Sequence, residues 1–193
     1  MHIIFYGPEG AGKGTQAKLL SEKLNLPILT SGDLVREAAA NDPGLLGDIC
    51  RRALHEGKYV ADSEMFVLWK NRLKRKDMKK GWIMDGFPRN LNQAKFLTSK
   101  VVKHGYKIEK VFYLKITPKE SMKRLLRRGR KLHESNSELH DSPERIKQRL
   151  EMYYQGERQV LDFFTKMGTL EEINGEQSIE KVHREIMSRI DRK

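Results

Sequence analysis

The sequence contains a single cysteine and no long apolar run, and both absences narrow the class of protein. Cys50 has no second cysteine to pair with, so the chain has no disulfide framework and no cysteine-based metal site. No apolar stretch approaches the roughly 20 residues that a membrane helix needs. Residues 1–6 are too short for the apolar core of a signal peptide and lack a basic leader. We therefore expect a protein of the reducing cytoplasm, with no membrane partner.

The chain is also short of acidic residues relative to basic ones. Its 38 lysines and arginines against 26 aspartates and glutamates give a formal net charge of +12, which raises the question of a nucleic-acid partner. The basic residues concentrate at 70–80 and 123–131, and neither cluster is interleaved with the aromatic side chains that stack on unpaired bases. The 193 residues, 38% hydrophobic and 33% charged, predict one globular domain. Nucleic-acid binding is not expected as its main role.

Residues 7–15 read GPEGAGKGT and match the glycine-rich phosphate-binding loop. A short apolar run at 3–6 precedes the loop, and a segment with helical spacing at 15–24 follows it. In this context the glycines let backbone N–H groups turn inward around a phosphate. The helix N-terminus adds a positive dipole end, and Lys13 supplies a mobile charge for the outer phosphates. The segment therefore predicts a nucleotide-phosphate site.

One position departs from the general form of this loop. Gly14 stands where a Ser or Thr would ligate Mg²⁺ directly, and the hydroxyl comes one residue later, at Thr15. Because Mg²⁺ dehydrates reluctantly, we expect phosphates and water to hold it, with no direct side-chain ligand. Asp85, at the end of an apolar run, is suited to hold the water shell of the ion.

Strand and helix patterns alternate along the chain, which is typical of a parallel α/β sheet. Apolar runs predict strands at 3–6, 82–85 and 111–114, and short strands are also expected at 27–29 and 170–173. Helical spacing predicts helices at 15–24, 32–39, 46–54, from 62 or 63 past 69, at 93–102, from 118 into the second basic cluster, at 143–161 and at 179–190. Start signals for four of these helices are Asp62 or Ser63, Thr117 with Pro118, Ser142 with Pro143, and Ser178.

The strand that ends at Asp85 is followed by Gly86, Phe87, Pro88 and Arg89. Parallel α/β sheets bind their ligands at the carboxyl ends of the strands. At such a place Gly86 lets a ligand approach the backbone, and Pro88 stiffens the turn that aims Arg89. The planar guanidinium of Arg89 can then bridge two phosphate groups. The motif predicts a second phosphate-binding element beside the first loop.

Taken together, these motifs resemble the adenylate kinases of the short-lid type, within the nucleoside monophosphate kinase family, over essentially the whole chain. The segments that carry the resemblance are GPEGAGKGTQ at 7–16, TSGDLVR at 30–36, GKYVAD at 57–62, DGFPRNLNQA at 85–94, RLLRR at 124–128 and QRLEMYY at 148–154. The resemblance implies a P-loop NTPase-type three-layer α/β/α fold with a central five-stranded parallel sheet. It also implies a single kinase domain, 1–193, whose core comprises 1–29, 61–127 and 142–193, with a helical NMP-binding lobe at 30–60 and a short lid at 128–141.

The same resemblance implies roles for individual residues. The ATP-binding set would be Gly10, Ala11, Gly12, Lys13, Gly14, Thr15, Arg124 and, through the backbone beside the adenine, Gln177. The AMP-binding set would be Ser31, Arg36, Lys58, Tyr59, Val60, Gly86, Phe87, Pro88, Arg89, Gln93 and Arg149, with Gln93 at the adenine edge. The catalytic set would be Lys13, Asp85, Arg89, Arg124, Arg128 and Arg149.

The implied reaction is reversible, Mg²⁺-dependent phosphoryl transfer from ATP to AMP by a monomeric enzyme. The acceptor phosphate has a second pKa of about 6, so it is largely deprotonated at pH 7 and needs no general base. The obstacle is repulsion, because two unit charges about 4 Å apart repel by about 4 kcal/mol at an effective dielectric of about 20. Arginines and Mg²⁺ must cancel this repulsion, and one well-placed arginine is worth about 10³–10⁵ in rate.

The acceptor base is the least determined part of this interpretation. The related UMP/CMP kinases typically carry Ala at the position of Ser31 and Asn at that of Gln93, so both residues favour AMP here. Asn90, however, follows Arg89 as it does in the pyrimidine enzymes. A UMP/CMP kinase therefore stays an alternative, as does a P-loop protein that binds nucleotide with weak catalysis.

The lid segment departs from the short-lid pattern. Such relatives usually carry an arginine three residues before the position of Asp141, where this chain has Glu138, and His140 replaces a neighbouring acid. We hypothesise that Arg130 or Lys131 supplies the missing positive charge. The residues His133, Glu134, His140 and Asp141 match no zinc-binding spacing, so no structural zinc is expected.

Overall fold

The computed structural model describes residues 1–131 and 139–190. The strands are β1 His2–Tyr6, β2 Ile28–Thr30, β3 Trp82–Asp85, β4 Lys110–Lys115 and β5 Leu170–Asn174. The helices are α1 Lys13–Leu24, α2 Ser31–Asn41, α3 Leu45–Glu56, α4 Asp62–Leu73, α5 Leu91–Lys103, α6 Pro118–Arg128, α7 Pro143–Lys166 and α8 Ile179–Ile190. A 3₁₀ helix at Lys76–Lys80, which the sequence pattern did not indicate, connects α4 to β3.

The five strands form one parallel sheet in the order β2-β3-β1-β4-β5. Strand β1 is central, with Ile4 opposite Met84 on one side and Val111 on the other. Because β1 and β3 are neighbours, the loops that follow them emerge side by side at the carboxyl edge of the sheet. The predicted five-stranded parallel α/β fold is confirmed, and it brings the two phosphate-binding motifs together.

Alternate side chains of the buried strands divide the core into two layers. Ile3 and Phe5 of β1 face α1 and α8, whereas Ile4 and Tyr6 face the layer that contains α4, α5 and α7. Ile3 and Ile4 are completely buried, and full burial of such a side chain is worth about 1.5–3 kcal/mol. Helices therefore cover both faces of the sheet, as a parallel sheet requires.

Helix starts agree with the predicted signals at three of four places. The hydroxyls of Thr117, Ser142 and Ser178 accept hydrogen bonds from backbone N–H groups three residues later. The expectation that Asp62 or Ser63 caps α4 is wrong, because the residue before the helix is Ala61 and no side chain caps it. The Asp62 carboxylate binds side chains from the start of α5 instead. A tertiary partner therefore takes the oxygen that local propensity assigns to a cap.

The first basic cluster lies on an exposed surface at the end of α4 and in the 3₁₀ helix. Two of its arginines form ion pairs, Arg72 with Asp77 and Arg75 with Glu37.

The helices found within 1–131 and 139–190 do not include one that has both the length and the apolar character needed to cross a bilayer.

Candidate active site

A cleft of about 910 Å³ opens at the carboxyl ends of β1, β2 and β3. The loop after β1, helix α2, the segment after α3 and the facing sides of α6 and α7 surround it. The cleft brings together these predicted site residues: Gly10, Gly12, Lys13, Gly14, Thr15, Ser31, Arg36, Lys58, Tyr59, Val60, Asp85, Gly86, Phe87, Pro88, Arg89, Gln93, Arg124, Arg128 and Arg149. Two predicted residues, Ala11 and Gln177, do not line it.

Three glycines in the loop after β1, Gly7, Gly10 and Gly12, have positive φ angles. Gly7 has φ 140°, and a Cβ on it would lie 2.6 Å from the carbonyl oxygen of Leu114. Gly12 has φ 88° and directly precedes α1. An L side chain is strained at both positions. The loop therefore turns sharply into α1, whose first N–H groups have no intrahelical partner and can receive an anion.

Lys13 lies across this loop rather than extending into solvent. Its ammonium donates hydrogen bonds to the carbonyl oxygens of Gly7, at 2.8 Å, and Pro8, at 2.7 Å. Burial lowers the pKa of this ammonium, although the charges of Asp85 and Glu9 act in the opposite direction. Because neutral carbonyls bind an ammonium less strongly than phosphate does, Lys13 can exchange these partners for a nucleotide.

Glu9 is a residue of the site that the sequence reasoning missed. Its carboxylate accepts hydrogen bonds from the Tyr59 hydroxyl, at 2.6 Å, and the Arg149 Nε, at 3.1 Å, and lies 3.7 Å from Nη2 of Arg128. Burial alone would raise its pKa, but Arg149, the Tyr59 hydrogen bond and Lys13 together lower it. The phosphate loop thus carries its own anion among the predicted phosphate-binding cations.

Asp141 is a second carboxylate that was not assigned a role in the site. Its fully buried side chain accepts hydrogen bonds from Nε and Nη2 of Arg128, at 2.7 and 2.8 Å, and from Nη2 of Arg149, at 3.0 Å. Burial works against ionisation, but the hydrogen bonds from Arg128 and from the Arg130 backbone outweigh it and hold the pKa of Asp141 well below its usual value. The carboxylate fixes two arginines side by side at the edge of the cleft.

Asp85 stands at the end of β3, as predicted. Burial raises the pKa of its carboxyl group, and the charges of Lys13 and Arg89 only partly offset this effect. A Cβ on Gly14 would come within 3.4 Å of Asp85 Oδ2, so the carboxylate lies against the first turn of α1, close to Thr15. Carboxylate and hydroxyl oxygens are the donors that Mg²⁺ accepts, so these residues fit the ion.

The predicted acceptor-side residues of α2 differ, because Ser31 is buried whereas Arg36 is exposed. The Ser31 hydroxyl donates to the carbonyl oxygen of Gly86 at 3.0 Å, which ties α2 to the turn after β3. Arg36 Nη2 binds Asp33 Oδ1 at 2.6 Å, and both side chains are more than 60% exposed. The Asp33 carboxylate is in turn hydrogen-bonded to the Thr30 hydroxyl.

Arg89 lies between the loop after β3 and the segment after α3. Its Nε donates to the carbonyl oxygen of Gly86 at 3.1 Å, and its guanidinium stacks 3.8 Å from the centroid of the Tyr59 ring. Burial raises the pKa of Tyr59 to about 12, so its hydroxyl remains protonated and donates to Glu9. This chain of contacts connects the segment after α3 to the phosphate loop.

Gln93 is buried at the start of α5, and both ends of its amide are engaged. Its Oε1 accepts a hydrogen bond from the backbone N–H of Arg89 at 2.8 Å, and its Nε2 donates to Asp62 Oδ1 at 2.6 Å. Asn90 caps α5 by accepting from the Gln93 N–H, and its Nδ2 also donates to Asp62. Asp62 is thus a third carboxylate of the site that sequence reasoning placed elsewhere, as a helix cap.

The expected ATP side includes Arg124, which joins the phosphate loop to the turn after β5. Its Nη1 donates to the carbonyl oxygens of Gly10, at 3.3 Å, and Gly175, at 3.0 Å. Ala11 belongs to the buried core beside α1 and α8, so its side chain packs away from the cleft. Gln177 lies beyond Gly175 in the same turn and binds Asn174 and Glu185. Its placement beside an adenine therefore stays a prediction.

Three residues discussed for the lid segment, His133, Glu134 and Glu138, lie outside the described residues. Arg130 and Lys131 line the cleft, and Nη2 of Arg130 lies 2.9 Å from Nδ1 of His140. Either basic residue is therefore placed to supply a charge, and the hypothesis stays a prediction. Throughout the described part of the chain, no three His, Cys, Asp or Glu side chains come together as a metal-binding group.

Comparison with known proteins gives consistent matches over nearly the full chain. A family model described as adenylate kinase matches residues 5–169. The chain is 39% identical over 184 residues to adenylate kinase 1 of Nostoc sp., covering 95% of each chain. It is 36% identical over 188 residues to the adenylate kinase of Leptospira biflexa, covering 97% of this chain and 98% of the relative. It is 34% identical over 209 residues to the adenylate kinase of Archaeoglobus fulgidus, covering 96% of each.

Proposed function

The chain belongs to the adenylate kinase family, and from that premise we propose that it catalyses the reversible, Mg²⁺-dependent transfer of a phosphoryl group from ATP to AMP, giving two ADP. It is an enzyme of the adenylate kinase type, and nucleoside monophosphate phosphoryl transfer is its reaction class. The observation that carries the proposal is the convergence of Lys13, Arg89, Arg128 and Arg149 on a single cleft beside the phosphate loop.

On the donor side, the inward-turning N–H groups of the loop and the start of α1 bind the ATP phosphates. Lys13 leaves its carbonyl partners for the outer phosphates, and Arg124 contacts ATP from α6. Arg128 and Arg149 are held 2.7–3.0 Å from one buried carboxylate, Asp141, so their guanidinium groups need little reorganisation to stabilise charge on the transferring phosphoryl group.

On the acceptor side, the phosphate of AMP is bound by Arg36, Arg89 and Arg149. Its base lies against the segment that contains Lys58, Tyr59 and Val60, with Gln93 at the base edge and Ser31 nearby. The space beside Gly86 supports this arrangement, because a Cβ there would meet no atom within 4 Å. Asn90, which resembled the pyrimidine kinases, is occupied in capping α5 and in binding Asp62, which favours AMP over UMP or CMP.

The residues near the loop fit a Mg²⁺ ion that is held by phosphates and water, with no direct side-chain ligand, as the sequence suggested. Asp85 would hold the water shell of the ion, with the Thr15 hydroxyl beside it, and both line the cleft. The ion would supply positive charge to offset the negative charge of the nucleotide phosphates. Burial raises the pKa of Asp85 and the charges of Lys13 and Arg89 offset this effect only in part, so a bound cation would favour the ionised carboxylate.

No proton needs to be removed from the acceptor by the protein. The AMP phosphate is largely dianionic at pH 7 because its second pKa is about 6. The proposed mechanism is therefore in-line transfer without a general base, in which the arginines overcome repulsion and align the two phosphates. The site is assembled from one chain, so we propose that a monomer is the active form. We also propose that the enzyme works in the cytoplasm.

We also propose the domain division that the resemblance implied. The NMP-binding lobe at 30–60 corresponds to α2 and α3, and the lid at 128–141 connects α6 to α7. The remainder of the chain forms the core that carries the phosphate loop.

The proposal is tested by measuring ADP formation from MgATP with AMP, UMP, CMP or GMP as acceptor. We expect rapid turnover with AMP and a kcat/KM at least about a hundredfold lower with UMP or CMP, which lack the purine that Gln93 would read. Omitting Mg²⁺ should abolish turnover. Preferred phosphorylation of UMP would make the protein a pyrimidine kinase, and nucleotide binding without turnover would make it a binding protein.

A further inference from the structure

We propose that Asp62 is a specificity-determining positioning residue, which makes the acceptor site select a 6-aminopurine over a 6-oxopurine by fixing the orientation of the Gln93 amide. The inference rests on the proposed function, because it concerns the base of the acceptor nucleotide. It assigns Asp62 a role in choosing the substrate without direct contact with the reacting atoms.

The amide of Gln93 has two chemically different ends, and its two protein partners distinguish them. A carboxylate can only accept hydrogen bonds, so Asp62 Oδ1, at 2.6 Å, must face the Nε2 end. A backbone N–H can only donate, so the N–H of Arg89, at 2.8 Å, must face Oε1. Rotating the amide by 180° would place two acceptors together at one end and two donors together at the other.

Asp62 is itself held in place, so it can act as a reference for the amide. Nδ2 of Asn90 lies 3.2 and 3.0 Å from the two carboxylate oxygens. Asp62 is the first residue of α4, where the helix dipole favours a negative charge. Gln93 is only 4% exposed, so solvent does not compete for its amide. The triad of Asp62, Asn90 and Gln93 therefore forms a rigid unit at the cleft wall.

A fixed amide leaves one N–H donor and one oxygen lone pair for a ligand. The two groups cannot exchange positions along the edge of the base. Adenine presents the N6 amino donor beside the N1 acceptor, whereas a 6-oxopurine presents the O6 acceptor beside the N1–H donor. A freely rotating glutamine would bind either base equally well. A glutamine fixed by Asp62 and the Arg89 backbone matches one order and opposes the other.

AMP and IMP are suitable probes, because they share the ribose and phosphate and differ only at this edge of the base. In the intact protein we measure kcat/KM with MgATP and either acceptor. Asp62→Asn keeps the shape of the side chain but can present an amide N–H₂ to Gln93, so one of the two constraints is lost. We expect the ratio of kcat/KM for AMP to that for IMP to fall by at least about tenfold, equivalent to about 1.4 kcal/mol, while KM for ATP is unchanged.

Asp33→Asn is the matched control. It removes a carboxylate from the acceptor side, but Asp33 binds Arg36 and Thr30 and does not contact Gln93. We expect this variant to leave the AMP/IMP ratio unchanged. If Asp62→Asn fails to fold, as judged by its thermal melting curve, the AMP/IMP ratio is measured for Asp62→Ser instead. We expect the same fall, because a hydroxyl can both donate and accept.

The outcomes separate the inference from the proposed function. If the unmodified protein forms no ADP from ATP and AMP, the proposed function is wrong. If it does, but Asp62→Asn lowers kcat/KM for AMP and IMP by the same factor, Asp62 has only a structural role and the inference is overturned. A falling ratio in Asp62→Asn, with a constant ratio in Asp33→Asn, supports it.

Discussion

Arg149 and Arg36 are both predicted to bind the acceptor phosphate, yet the two regions that carry them are built differently. The Arg149 side chain on α7 is 7% exposed and binds Glu9, Asp141 and the carbonyl oxygen of His140. The Arg36 side chain on α2 is 62% exposed and has one carboxylate partner, Asp33, a turn away on the same helix. One guanidinium is fixed by several tertiary contacts, and the other is held by a single exposed ion pair within its own helix.

This difference separates two tasks of a phosphoryl-transfer site. A charge that stabilises the transition state is most effective when it is oriented before the reaction, because reorganisation then costs little. A charge that captures the incoming nucleotide can be mobile, since it contributes to binding in the ground state and the transition state alike. We therefore expect substitutions on the α7 side to affect kcat, and substitutions on the α2 side to affect KM for AMP.

The largest effect is expected for Arg149→Ala, which removes the fixed guanidinium. We expect kcat to fall by about 10³-fold or more, the range known for a transition-state arginine. Arg149→Lys should recover little, because an ammonium cannot span the same set of partners. Steady-state ADP formation at saturating substrates gives kcat. An equally large fall in kcat for Arg36→Ala would contradict the comparison.

Asp141→Asn tests whether the fixed arginines depend on their buried carboxylate. Because burial opposes and Arg128 favours its ionisation, with a net lowering of the pKa, Asp141 stabilises the fold fully above the ordinary pKa of about 4. This contribution is lost as the pH falls through the lowered pKa. We expect the variant to lose about 1.5–3 kcal/mol of unfolding free energy at pH 7 and to differ less from the parent protein at pH 3, as measured by urea denaturation.

Asp33→Asn provides the comparison from the exposed region. The pKa of Asp33 is also lowered, because its hydrogen bonds to Thr30 and Arg36 outweigh its partial burial. Its side chain is 63% exposed, however, and exposed ion pairs are worth about 0–1 kcal/mol. A loss of stability as large as that of Asp141→Asn would show that burial is not what distinguishes the two regions.

Arg36→Ala is expected to change substrate binding, by a much smaller factor than Arg149→Ala changes kcat. We expect KM for AMP to rise by about tenfold, the cost of one charge-assisted contact of about 1.4 kcal/mol. The kcat at saturating AMP should change by less than about threefold, because the lost contact stabilises the bound substrate and the transition state equally. Kinetics at varied AMP concentration distinguish the two parameters. A fall in kcat without a change in KM would reverse the assignment.

The smallest kinetic effect is expected for Glu9→Gln, which keeps an acceptor for Tyr59 but removes the anion from the phosphate loop. With one negative charge fewer among Arg128, Arg149 and Lys13, KM for ATP should fall by about three- to tenfold. Glu172→Gln is the control, because that exposed carboxylate on β5 pairs with Lys115 on β4. A rise in KM for ATP would show that Glu9 mainly orients Arg149.

Much of this architecture could be predicted from local patterns. Apolar runs located the inner strands β1, β3 and β4, because a buried parallel strand must be apolar on both faces. The edge strand β5 contains Glu171 and Glu172 and lacks such a run. The glycine spacing at 7–14 predicted the loop, and Thr117 and Ser142 predicted the starts of α6 and α7 correctly. Asp62 shows the limit of such reasoning, because a good capping residue beside a helix formed its hydrogen bonds with α5 instead.

The sequence by itself determined the individual strands, the phosphate loop and the turn that carries Arg89, because each depends on backbone preferences within a few neighbouring residues. Only the tertiary structure decided which carboxylates neutralise the arginines. Glu9 meets Arg149 across 140 residues of chain, and Arg149 meets Asp141, which precedes the start of α7. Coulombic attraction has no sequence periodicity, so the partners of a buried charge are set by the packing of the whole chain.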